Sequence, residues 1–261
     1  MHQFVLALSS SCDIPPDQIA AYDAHMFSTG FVGIPKEPST ADGYARAYKR
    51  ISSNKVRRSL PSVKKIEDFF DDILERKDKD IVYISPSSRA DEHYSYAIKA
   101  AQNSLLKFPR RNIYIINANG VGASLQPLFY LGYKMYLDGA SAEDTVAALN
   151  ELSLSLTTLI VTPDILSTLR VSGVGERKLK LLYRVRSEAA IAKKIIDAFS
   201  KSNAETLYIS HCNSESLAIK IMQRFNDLVP ERNIQVNKMS VVCAYTLSTH
   251  TLSLPALIVG F

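Results

Sequence analysis

Between residues 80 and 137 two short β-branched runs are each followed by a helix-length amphipathic segment, and nothing else in the 261 residues narrows the fold as far. Asp80 to Ser85 (DIVYIS) reads as a buried strand. Ala90 to Phe108 reads as a helix with Tyr94, Ala97, Ala101 and Leu105 on one side. Asn112 to Asn117 (NIYIIN) repeats the strand and Gly122 to Leu137 the helix, and Ser141 with Asp144 caps a further helix to about Leu152. Strands joined by helices in this order require right-handed crossovers and therefore a parallel sheet. Phe4 to Leu8 is its first strand, and Pro15-Pro16-Asp17 opens a short helix. Gly30 to Gly43 is mostly loop, and Ser62 to Arg76 carries Val63, Ile66, Phe70 and Ile73 at helical spacing.

A second set of elements starts near Leu154. Thr158 to Val161, Leu181 to Val185, Thr206 to Ser210, Ile234 to Val242 and Leu257 to Phe261 read as strands. Asp164 to Arg170, Ser187 to Ser200 and Glu215 to Leu228 read as helices. The expected fold is therefore α/β in two domains. Residues 1–153 form one with a largely parallel, Rossmann-like sheet, and residues 154–261 a smaller one with a mixed sheet and helices.

Composition removes several function classes. Hydrophobic residues at 46% and charged residues at 22% describe a globular chain. No apolar run reaches the roughly 18 residues of a membrane span, and Met1 to Cys12 lacks the basic start of a secretory leader. The three cysteines form no CxxC, so neither a disulfide framework nor a zinc site is expected, and the default compartment is the cytoplasm. Only 10 residues are glycine, and no GxGxxG or GxxxxGK[ST] occurs to cradle a phosphate. No cofactor is implied. The net charge of +5 favours anionic partners without naming one. Eight Lys or Arg lie between Arg46 and Lys65 with no acid, but Tyr48 alone could stack a base, which argues against nucleic acid.

Five stretches, taken with this order of elements, resemble the DegV family of bacterial fatty-acid-binding proteins. Arg58-Ser59-Leu60-Pro61-Ser62 stands where the family has a Thr-Ser-Gln-Pro-Ser turn, and Ser87-Ser88-Arg89-Ala90-Asp91-Glu92-His93-Tyr94 where it has Ser-Ser-Lys-Leu-Ser-Gly-Thr-Tyr. Arg184-Val185-Arg186, His211-Cys212-Asn213 and Thr249-His250-Thr251 are similar to further family stretches. The resemblance implies a long acyl chain buried between two domains, no catalysis, and a fatty acid kinase as a partner. It places the head end of the ligand near Arg58, Ser59, Ser88, Asp91, Glu92 and His250.

At these positions the chain departs from the family pattern. The turn threonine is Arg58, the helix-opening serine and glycine are Asp91 and Glu92, and the opening Thr-Asp-Ser-Thr run is Leu8-Ser9-Ser10-Ser11. An Asp91 carboxylate about 4 Å from a fatty acid carboxylate would repel it by about 4 kcal/mol at an effective dielectric near 20. Arg58 reverses that sign if it reaches the ligand, as a bidentate clamp. If it pairs with Asp91 instead, the mouth is closed by protein. Two other functions compete with lipid carriage. One is a ligand-free relative whose cleft is filled by Leu252 and Leu254, acting through protein contacts. The other is a hydrolase or transferase using Asp91 and His93, although residues two apart on a helix face different ways. His211 reads as a hydrogen-bonded structural histidine.

Overall fold

The computed structural model describes residues 4–34, 36–53, 55–59, 61–88, 92–161, 179–181, 187–248 and 256–261. Asp91, His250, Leu252, Leu254, the helix expected at Asp164 to Arg170 and the strand residues beyond Leu181 lie outside them.

The first sheet is built from β1 (Phe4–Ser9), β2 (His25–Phe27), β5 (Asp80–Ser85) and β6 (Ile113–Asn117) in the order β2-β1-β5-β6, all parallel. Alternation along β1 sends Phe4, Leu6 and Leu8 to one face and Val5 and Ala7 to the other, and both faces are covered. Phe4, Leu6 and Leu8 meet α1 (Pro16–Ala21), α5 (Gln126–Leu137) and α6 (Ala142–Ser155) through Ile19, Phe129 and Leu149. Val5 and Ala7 meet α3 (Val63–Lys77) and α4 (His93–Lys107) through Phe70, Ile73 and Ala97. Serines set two of these helices: Ser62 Oγ accepts from Lys65 N at 3.3 Å, and Ser141 Oγ from Asp144 N at 3.0 Å. The segment read as one helix from Gly122 is a 3-10 turn, Gly122–Leu125, leading into α5, because Pro127 fits only a first helical turn.

The second sheet is mixed and runs β10-β9-β11-β7-β8, from β7 (Thr158–Val161), β8 (Leu179–Leu181), β9 (Thr206–Cys212), β10 (Asn233–Lys238) and β11 (Ala256–Gly260). β11 is antiparallel to both β9 and β7, while β9 and β10 are parallel. One face packs on α7 (Glu188–Ser200) and α8 (Glu215–Leu228) through Ile195, Phe199, Ile221 and Phe225.

Two expectations are corrected on the other face. Residues 41–52 form a helix, α2 (Ala41–Ser52), where no element was expected, and its Tyr44, Ala47, Tyr48 and Ile51 cover the second sheet. Val241 and Val242 do not extend β10; they open α9 (Val241–Ser248), which packs against α2. A β-branched pair favours a strand by propensity, but here tertiary packing and capping decide. A hairpin of β3 (Phe31–Val32) and β4 (Arg57–Arg58) flanks α2. Among the described residues no helix is long and apolar enough to cross a membrane.

Candidate functional site

The strand order fixes where a ligand can enter. The chain leaves β1 towards β2 on one side and returns to β5 on the other, so a crevice opens at the carboxyl ends of β1 and β5. A narrow cavity lies there, with about 40 Å³ open to the centre of a water molecule. The first half of the chain contributes Ser9, Ser11, Thr29 and Pro86, which sit at or just beyond strand ends, and His93, which opens α4. Ile160 and Ile258 of the second sheet supply apolar wall, and α9 adds Val242, Cys243, Thr246 and Leu247. The void is thus a narrow, largely apolar slot on the seam between the sheets, with Ser9, Ser11, Thr29 and His93 on the first-sheet side and Thr246 on α9.

Arg58 is the cationic group in the lining. The hairpin explains its direction: successive strand residues alternate, so exposed Arg57 points outward and half-buried Arg58 inward. Of the other expected head-group residues, Ser59, Ser88 and Glu92 are among the described ones. Ser59 donates its N–H to the Gly30 carbonyl at 2.9 Å, and its Oγ accepts from Lys65 Nζ at 2.9 Å. Ser88 is exposed and bound to Asn117, whose Nδ2 donates to its Oγ at 2.9 Å. Glu92 is exposed ahead of α4 and accepts from the Tyr96 hydroxyl. None of the three lines the slot.

His93 turns the other way. It is 1% exposed, its Nε2 lies 2.7 Å from the Tyr83 hydroxyl, and its ring stacks on Tyr83 and touches Phe27. Ser9, Ser11 and Thr29 are the other polar groups that motif reading missed. The usable signal was their place directly after apolar strands, where a parallel sheet puts its ligands. They hold one another: Ser9 Oγ accepts from Ser11 Oγ at 3.1 Å, and Ser10 Oγ accepts from Thr29 N at 3.2 Å.

Nucleophilic chemistry finds no support in the thiols. Burial raises the Cys243 thiol far above its ordinary range, and does the same to Cys12; Cys212 is pushed up to about 12. A thiol held protonated is a poor nucleophile. His211 lies outside the slot, in a groove with Glu215 and Lys238. Burial lowers its pKa to about 4, so it is neutral, and its Nδ1 has no hydrogen-bond partner among the described residues. Among the described residues no cluster of three His, Cys, Asp or Glu side chains could hold a metal ion.

The model of the DegV family, described as an uncharacterised protein family, matches residues 5–177. The chain belongs to the DegV family. No curated protein matches it by sequence. Several solved family structures share the fold from end to end. DegV of Bacillus subtilis, described as a fatty acid binding protein, superposes with TM-score 0.79 at 15% identity over 100% of both chains. A stearic-acid-binding protein of Eubacterium ventriosum gives 0.78 at 16% identity over 98% of both. The Streptococcus pneumoniae fatty acid kinase B3 protein, loaded with linoleic acid, gives 0.74 at 14% identity over 99% of both.

Proposed function

We propose that this chain binds a long-chain fatty acid or a similar lipid in the slot, as a non-enzymatic cytoplasmic carrier. The seam that holds it would divide the chain into domains of residues 1–153 and 154–261. The observation that carries the reading is an arginine, Arg58, facing into an apolar slot at the switch point of the first sheet. The described family members that bind stearic or linoleic acid make the lipid the first candidate. Each buried methylene contributes about 0.8 kcal/mol, so the tail supplies most of the affinity. The head is held by Arg58 with the hydroxyls of Ser9, Ser11 and Thr29 close by in the lining. In this arrangement a fatty acid kinase would meet the protein at the head-group end of the slot.

The narrowness of the slot favours a second reading, a ligand-free relative acting through protein contacts. Native mass spectrometry of protein purified from cells separates the two. A single retained acyl species supports the carrier, and a bare chain mass supports the second reading. Arg58→Ala removes a charge-assisted hydrogen bond of about 2 kcal/mol, roughly thirtyfold in Kd. Unchanged acyl retention in that variant would remove the guanidinium from the head-group site.

A further inference from the structure

We propose that Asp13 and Glu37 are the positioning residues of the slot: reaching from the first half of the chain to the amino end of α9, they fix the helix that walls it and set the passage open to an acyl chain. The inference rests on the carrier reading above.

α9 belongs to the second half by sequence, yet the first half holds it. Asp13 Oδ1 accepts from Ser240 N at 2.8 Å, and Glu37 Oε1 accepts from Val241 N at 2.7 Å. These are backbone N–H groups that a helix start leaves without partners of its own, and a side-chain carboxyl oxygen accepts each of them. Asp13 is 1% exposed and in the left-handed region at φ 55°, which turns its side chain away from the path of the following residues. Its second oxygen accepts from the Ser210 hydroxyl of β9, so one carboxylate joins the end of β1, the second sheet and α9. Cys243, on the first turn of α9, meets the Ser11 carbonyl through Sγ at 3.4 Å. The Tyr48 hydroxyl of α2 donates to the Met239 carbonyl just upstream at 2.5 Å.

The slot as it stands is too tight for a chain. About 40 Å³ open to water centres leaves room for a few water molecules and not for a long acyl chain. A wall must give way. Ser9, Ile160 and Ile258 stand in strands held by ladder hydrogen bonds. α9 is outside any ladder, and it is docked by the two side-chain acceptors, by the Cys243 contact to the Ser11 carbonyl and by packing of residues such as Val241 and Leu247 in the cluster with α2. It is the wall that can shift without breaking a sheet. The two carboxylates decide how readily it does so.

The test uses the full chain and two readouts. Release of bound cis-parinaric acid is followed by stopped-flow displacement with excess oleic acid, and backbone amide exchange of residues 241–247 is followed by mass spectrometry without ligand. Asp13→Ala and Glu37→Ala are expected to speed release at least tenfold and to raise exchange of the α9 amides by a similar factor. Glu37→Gln, which keeps an acceptor for Val241 N, should restore both. Release and exchange within twofold of the parent in a folded Glu37→Ala protein would overturn the proposal. Should Asp13→Ala fail to fold, Glu37→Ala against Glu37→Gln decides alone. If the parent protein takes up no fatty acid, the carrier reading falls, and amide exchange still decides whether these residues position α9.

Discussion

Glu37 carries a carboxyl enclosed at the seam with no ion pair among the described residues, its oxygens meeting the Val241 N–H and the Tyr44 hydroxyl. Burial pushes its pKa from 4.5 up to about 8, with the buried Asp13 nearby adding to the shift. The folded protein therefore holds a proton that the unfolded chain releases between these two values. The group's contribution to stability is complete below pH 4.5 and is lost as pH rises through about 8. Glu37→Gln removes the titration, so the melting temperature of the parent is expected to fall relative to the variant between pH 5 and pH 9. Parallel curves would mean that the carboxyl is solvated in both states. Asp13, also raised by burial, adds a slope of the same sign to both proteins. Neither role was legible in the sequence, where no motif singles out Asp13 or Glu37. The Asp13 partners Ser210 and Ser240 lie about two hundred residues further on, and only tertiary structure brings them to it. Arg58 drew notice because it replaced a family hydroxyl. The serines after β1 drew it only as a departure from a motif.

Helices whose ends and faces are written locally were readable. In α3, Ile66, Phe70, Ile73 and Leu74 form the buried stripe, Ser62 caps the start, and Asp78 ends it in the left-handed conformation at φ 47°. Ser62→Ala should cost about 1 kcal/mol of stability, the usual worth of such a cap, readable as a shift in the urea midpoint with unchanged slope. No change in midpoint would mean that the cap is replaced by water at no expense. α2 has the same kind of stripe in Tyr44, Ala47, Tyr48 and Ile51, with Thr40 as its cap. It was passed over because Pro38, Gly43 and a run of cations suggest a solvated loop, and because its apolar face serves a sheet formed more than a hundred residues later. α9 failed for the opposite reason. Its residues favour a strand, and its helical start depends on acceptors that arrive from residues 13 and 37.

At the scale of the whole molecule, the parallel first sheet could be inferred from the order of its elements, because each crossover is a local event. The second sheet's order could not, since β11 inserts between β7 and β9 after every other strand has been placed. What joins the sheets is equally hidden in composition. The chain has 10 glycines and no phosphate-binding loop, yet two glycines serve the seam. Gly122, at φ +60°, sits where a Cβ would collide with Asp13 and Ile258, and Gly260 where a Cβ would overlap the Ser124 backbone. The 3-10 turn after β6 thus lies directly on β11, and the halves meet without room for a methyl group. Gly260→Ala puts that methyl against backbone, which cannot swing aside like a flexible side chain. The loss should reach the top of the overpacking range, about 3 kcal/mol, measured by urea unfolding. If the halves instead slide apart to admit the acyl chain, the same methyl would be absorbed by that movement. A loss below about 1 kcal/mol with faster lipid release would then point to opening along the whole seam, and not to a shift of α9 against fixed sheets.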